Sequence, residues 1–327
     1  MADTGSVTKF INKFAIFIVL GLMAVALSFL SPSFLTPQNL INVLISESGR
    51  GMLAIGVAFT IIAKGIDISV GSIVSLTSVV AASLVQDPTY ANRIFPNLPH
   101  IPVIFAVLAG LSAGTIVGMI NGWFIAYTAI PPFIATLGSM IIARGVALIL
   151  TNAYPVPMLR ADFKNLGQGN IGPMPIIVLV FIVVIVLSWI LLNQTKFGKN
   201  LYAIGGNVHA AKTSGIKVEK NLVAIYAFSG FCASIAGVLI TARAASGIAT
   251  LGNSYELDAI AAAFIGGVSP AGGIGKVLGS LIGALVYMSL TSGMNLMGTD
   301  IALQYIVRGL VLAAAVIFDV TTRRTGK

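Results

Sequence analysis

Apolar residues in this chain come in long blocks, without the one-faced or alternating patterns of a soluble fold. Blocks at 14–30, 41–63, 70–86, 102–126, 131–150, 174–192, 222–243, 255–267, 274–294 and 301–318 are separated by short polar segments. A helix needs about 20 mostly apolar residues to cross the hydrocarbon core of a bilayer. The pattern predicts an all-α polytopic membrane protein of about ten transmembrane helices, in a single domain over residues 1–327. The block at 255–267 is too short to cross comfortably alone. It can be tilted, partly re-entrant, or extended by its neighbours.

Composition agrees. Only 9% of the residues are charged and 57% are hydrophobic, with a mean hydropathy of +0.98. A soluble chain carries about a quarter charged residues, so too little polar surface exists to coat a water-soluble globule of this length. The net charge of +9 does not imply nucleic acid, because no basic stripe with interleaved aromatics is present. Its distribution reads as topology instead. With the N-terminus inside, twelve Lys and Arg fall in inside segments and only Arg93, Arg160, Lys164 and Arg243 fall outside. That bias places both termini in the cytoplasm. The first block follows Lys9 and Lys13 as in a signal peptide, but no small-x-small cleavage site follows it, so it reads as an uncleaved membrane helix.

Several chemistries are excluded. No G-x-x-x-x-G-K-[ST] occurs; Gly275-Lys276 has Pro270 five residues before the glycine and Val277 after the lysine, so no P-loop forms. His100 and His209 stand apart, and Cys232 is the lone cysteine in an apolar run. No cofactor, metal site or catalytic constellation is expected, and the chain reads as a non-catalytic subunit. Outside loops at 86–102 and 151–173 read as compact lids, too short for a binding domain, so any substrate-capturing module is another chain.

Three groups of residues carry a possible mechanism. The segment 193–221 is the longest inside segment and holds five lysines. Within it, Asn207 can cap a short helix through His209, Ala210, Ala211 and Lys212, and Gly215 can supply a left-handed terminus. Such a helix is either a docking knob for a cytoplasmic partner or an ordinary solvated loop helix. The second group interrupts apolar runs without a hydrophilic loop: Gly65, Asp67, Ser69 and Gly71, then Gly267, Gly272 and Gly273. Paired glycine interruptions point to gates or a permeation path, and tight capped turns explain them equally. The third group is Asn121, Tyr127, Thr136, Ser139, Asn295 and Gln304, polar side chains on spans that can exchange hydrogen bonds with a solute or simply pack helices. Arg50, Arg144 and Arg308 also fall within spans, where charge normally faces protein or water. Glu256 and Asp258 start the eighth block, where a helix dipole favours carboxylates. Gly110, Gly114, Gly118 and Gly122 predict close helix packing.

A resemblance adds to these readings. Gly65-Ile66-Asp67-Ile68-Ser69-Val70-Gly71-Ser72, Pro132 to Gly138, Lys196-Phe197-Gly198-Lys199-Asn200, Ala203-Ile204-Gly205-Gly206-Asn207, Tyr255 to Ala262, Gly266-Gly267-Val268-Ser269 and Gln304-Tyr305-Ile306-Val307 together resemble the ribose/xylose/galactoside ABC-transporter permease family. The phrasing around Phe95-Pro96 and Pro131 to Gly138 is nearest its galactose/methyl-galactoside branch. The resemblance implies a sugar-importing permease subunit in a bacterial cytoplasmic (inner) membrane. It also implies a second permease copy, a cytoplasmic ABC ATPase and an extracytoplasmic sugar-binding protein. Ala210, Ala211 and Gly215 are similar to the family's Glu-Ala-Ala coupling motif, with His209 where Glu is usual. The rival readings are an ion-coupled secondary transporter, which would place buried carboxylates mid-span, and a permease for a nucleoside or polyol.

Overall fold

The computed structural model describes residues 20–325, with side chains described as far as residue 317. The stretch 14–19 of the first predicted span, and Lys9, Lys13 and Lys327, lie outside the described residues.

The elements follow the apolar blocks. In order they are α1 (Leu20–Leu30), α2 (Pro37–Ile62), α3 (Val70–Leu84), α4 (Val103–Thr128), α5 (Pro132–Thr151), α6 (Ala161–Gln168) and the two-residue strands β1 (Asn170–Ile171) and β2 (Met174–Pro175). There follow α7 (Ile176–Gln194), α8 (Lys196–Gly206), α9 (Val208–Thr213), α10 (Val218–Ala244), α11 (Tyr255–Ile265), α12 (Val277–Leu296) and α13 (Ile301–Thr325). Among the described residues, six helices are long and apolar enough to cross a membrane: α2, α4, α5, α7, α10 and α12. The predicted spans 70–86 and 255–267 do not belong to this class. They are α3, of 15 residues, and α11, of 11 residues, about 22 and 16 Å long at helical rise. Neither crosses a bilayer by itself.

The bundle centres on α2 and α10. Fifteen residues of α2 between Glu47 and Ile62 are buried, so this part of the helix is enclosed all round. The glycine ladder of α4 lies against α10 and α3. A Cβ on Gly118 would overlap the Tyr226 carbonyl oxygen, one on Gly122 would lie 2.6 Å from Val223 Cα, and one on Gly230 of α10 would lie 2.5 Å from the Gly114 carbonyl. Backbone contact of this closeness supplies the dispersion that holds helices together where lipid removes the hydrophobic drive.

The two ends of the bundle differ in composition and in joinery. At one end, Gly273 N donates to Ile62 O (2.8 Å) and Tyr202 Oη donates to Gly275 O (2.7 Å). This end carries Lys64, Lys196, Lys199, Lys212, Lys217, Lys220 and Lys276. At the other, Gln86 bridges Leu159 and Val156 bridges Gly247, while Arg160 Nη1 donates to Ile101 O at 2.8 Å. The grouping of chain segments at each end is the alternation that the charge bias predicts.

Candidate functional site at two interrupted helices

The chain between α2 and α3 enters the membrane without helix. Lys64 takes a left-handed conformation (φ 65°) just past the end of α2, residues 65–68 then run without regular secondary structure, and Ser69 turns into α3. Backbone polar groups there must be satisfied inside the protein. Asp67, fully buried, does part of this: its Oδ1 accepts from Ser69 N (3.0 Å) and Ser69 Oγ (2.6 Å), and its Oδ2 accepts from Ser229 Oγ (2.7 Å). Asn121 Nδ2 donates to Ser69 Oγ at 2.9 Å, and Thr136 Oγ1 donates to Ile66 O at 3.2 Å. Three donors thus converge on this one buried side chain and satisfy both of its oxygens. This knot ties the interruption to α4, α5 and α10. Gly65 belongs to it because a Cβ would overlap the buried Tyr226 hydroxyl.

A second interruption precedes α11. Ala245 ends α10 at φ 54°, and residues 246–254 turn back into the bundle alongside α3. Ile248 N donates to Ser78 Oγ (3.2 Å), and Ala249 O accepts from Ser75 Oγ. Gly252 then passes at φ 79° so close to Gly71 O that a Cβ would overlap it. Ser254 (φ 65°) starts α11. The N-termini of α3 and α11 therefore meet inside the bundle, with Glu256 Oε2 against Gly71. Glu256 Oε2 is buried there without a hydrogen-bond partner.

The predicted break at Gly267–Gly273 is a different object. Gly267, Gly272 and Gly273 take φ of 79°, 81° and 73° in the turn that leaves α11 at the lysine-bearing end. A Cβ on Gly272 would lie 2.6 Å from Gly205 O, and one on Gly205 would overlap Ile62 O. The glycines let α8 seat on the end of α2 and on this turn together.

From that seat α9 projects. Asn207 Oδ1 accepts from Ala210 N at 3.0 Å, and Gly215 takes φ 81° while Ile216 N donates to Ala211 O at 3.1 Å. These are an N-cap and a glycine-terminated C-end. Ala211 faces inward with Ile204 and Val218. His209, Ala210 and Lys212 are exposed, and Lys212 Nζ reaches Glu219 at 2.9 Å.

Near the opposite end a polar cavity of about 320 Å³ lies between α2, α12 and α13. Asn295 and Gln304 line it, and Gln304 Nε2 donates to Asn295 Oδ1 at 2.8 Å. Its floor holds Arg50 and Arg308.

Comparison with known proteins decides the family. Residues 39–316 match the family described as "Branched-chain amino acid transport system / permease component". The chain belongs to this permease family. It is 38% identical over 321 residues to the galactose/methyl galactoside import permease protein MglC of Escherichia coli (strain K12), covering 96% of each chain. Over 310 residues it is 38% identical to the ribose import permease protein RbsC of Bacillus subtilis (strain 168), covering 94% of this chain and 92% of that one. No solved structure matches it significantly. A permease component is by definition one part of a larger transport system.

In this permease the predicted polar candidates do not form one lining. Asn295 and Gln304 share the cavity; Asn121 and Thr136 belong to the Asp67 knot. Ser139 Oγ donates to Thr136 O within α5 (3.1 Å), and Tyr127, 54% exposed, lies 6.0 Å from Trp123 on the outer surface of α4. The permease also uses residues that the sequence pattern did not single out: Ser229 and Tyr226 on α10, Tyr202 on α8, and the whole of 246–254. The last had a visible signal, the run Gly252-Asn253-Ser254, which reads as a loop after a span and hid its return into the bundle.

Proposed function

We propose that this chain is the membrane-spanning, non-catalytic subunit of an ATP-binding-cassette importer in a bacterial inner membrane. It moves a monosaccharide of the galactose/methyl-galactoside, ribose or xylose type. Two copies assemble around the pathway, a cytoplasmic ATPase docks on His209, Ala210 and Lys212, and an extracytoplasmic sugar-binding protein delivers to the opposite end. The whole of 1–327 acts as one domain, with 193–221 as its coupling segment.

The observation that carries this reading is the seating of α8 and α9. Force applied at the exposed side of α9 passes through α8 to Gly205, and from there to Ile62 and Gly272, the points where both interrupted elements reach the lysine-bearing end. A solvated loop helix has no need of such a junction. Conformational coupling needs a chain of packed elements with two arrangements, and α11, short and tied at both ends, is the element that moves. The matched family's name mentions branched-chain amino acids. The sugar reading rests instead on the 38% identity to permeases named for galactose/methyl galactoside and for ribose.

Gly215→Val tests the docking role. Its left-handed backbone costs a β-branched residue about 1–2 kcal/mol locally, and a Cβ there meets nothing within 4 Å. In proteoliposomes holding the complete importer, sugar uptake per ATP hydrolysed falls while the permease remains folded. Uptake and hydrolysis both equal to wild type would remove the docking role.

A further inference from the structure

We propose that α5, the first turn of α11 and α13 form one face that seats against a second copy of this chain, closing Arg144 and Arg308 off from lipid. This rests on the two-copy part of the importer reading and adds the surface that makes the pair.

The arginines exclude lipid as the cover of this face. α11 starts with Glu256 and Asp258, which stand on either side of Leu257, and Leu257 is 50% exposed. Glu256 lies close enough to Arg144 of α5 for the two side chains to attract electrostatically. Arg308 Nη1 of α13 stands 4.0 Å from Asp258 Oδ2. An arginine from each outer helix thus flanks α11. Arg144 lies seven residues before the end of α5 and Arg308 seven residues after the start of α13, which puts both about 10 Å below the same end of the bundle. That depth is inside the hydrocarbon. Both side chains are partly exposed, and Arg144 Nη1 and Arg308 Nε have no hydrogen-bond partner. A guanidinium at this depth faces protein or water, because lipid tails offer it no acceptor. The spans α4 and α7, which carry no charged residue, show what a lipid-facing surface of this chain looks like.

The glycines point the same way. Those inside α2, α4, α10 and α12 all meet atoms of this chain, whereas a Cβ added at Gly138 or Gly145 of α5, or at Gly309 of α13, meets nothing within 4 Å. A glycine inside a helix costs about 0.5–1 kcal/mol against alanine and gains nothing towards lipid. Against a second helix it lets two backbones approach. On α5, Ile134, Gly138, Ile141, Gly145 and Ile149 recur at helical spacing along one side, and on α13 Ala302, Ile306, Gly309 and Ala313 do the same. The surface is also self-complementary. It carries arginines and carboxylates side by side at one depth, and a two-fold axis along the membrane normal leaves depth unchanged. The arginines of one copy therefore meet the level of the other's carboxylates, as an isologous interface requires.

The test places single cysteines in the full permease in native membranes and adds a short bismaleimide; Cys232 is buried and stays silent. Ile141→Cys and Ile149→Cys on α5 and Leu310→Cys on α13, alone or co-expressed in pairs, should give covalent dimers. Ile116→Cys on α4 and Val183→Cys on α7 should not, although all five positions are exposed in one protomer. Gly138→Trp and Gly309→Trp, at positions where a Cβ meets nothing of its own chain, should lower the dimer fraction in native mass spectrometry roughly tenfold and leave the protomer's unfolding midpoint unchanged. Dimers that survive both tryptophans, or that form through α4 or α7, overturn the face. A protomer that stays monomeric with phospholipid bound overturns the second copy as its occupant. Sugar uptake by the complete importer, measured in parallel, separates the two readings. Uptake with cross-links confined to α4 or α7 removes this face and leaves the importer; cross-links at α5 or α13 without uptake do the reverse.

Discussion

The two interruptions, 65–69 and 246–254, solve the same problem by opposite means. Each brings non-helical backbone into a membrane protein, and each leads to a short helix whose N-terminus meets that of the other. The first is pinned by a buried carboxylate with three donors and by side chains from three helices. The second has no buried carboxylate at its centre: Ala249 O accepts from Ser75 Oγ, Ile248 N donates to Ser78 Oγ, and Ser246 and Gly247 bond the Val156 backbone of the 151–160 loop. Its own carboxylates, Glu256 and Asp258, point at Gly71 and at the cavity floor. Under the proposed function, the first interruption is the fixed post, and α11 with its lead-in is the lever between cavity and coupling segment.

Removing the post should have the larger effect. Asp67→Ala leaves Ser69 N, Ser69 Oγ and Ser229 Oγ without their acceptor. At about 1–3 kcal/mol for each orphaned group, the variant loses about 3 kcal/mol or more, read as a fall of several degrees in thermal unfolding in detergent. A midpoint within a degree of wild type would abolish the distinction between the two interruptions.

Ser75→Ala acts on the lever. It deletes one hydrogen bond, to Ala249 O, at a cost of about 1 kcal/mol. Hydrogen exchange should quicken at amides 245–254 and stay unchanged at 65–69. Equal quickening in both segments would mean that they open as one unit.

The smallest effect is pH-dependent and also confined to the second interruption. Asp162 accepts a hydrogen bond from Arg160, which holds its carboxyl below the ordinary carboxylate value. A depressed carboxylate contributes stability above its unfolded value and loses it as pH falls through the folded one. With Asp162 51% exposed, the contribution is that of a surface pair, about 1 kcal/mol or less. Acidification below the usual carboxylate range should loosen the 151–160 loop and the bridge to Gly247, and Asp162→Asn should remove that sensitivity.

Much of this architecture was legible in the sequence because lipid makes the pattern simple. Long apolar blocks locate the helices, the glycine spacing of α4 marks its packed face, and lysines sort the ends. The first interruption was visible because Asp67 and its glycines break an apolar run. The second showed only in the shortness of the block at 255–267, since a chain that leaves a span and re-enters at the same end looks like any surface loop. The lining of the cavity was only half legible for a related reason. Asn295 and Gln304 sit late in one helix and early in the next, whereas Arg50 comes from a helix far away in sequence, and only packing brings them together.

The account rests most heavily on which side of the membrane α9 occupies. Ala210→Cys in cells, with Cys232 buried and unreactive, should react with a membrane-impermeant maleimide only in inverted vesicles, and addition of the ATPase subunit should protect it. Labelling from outside intact cells would contradict the account.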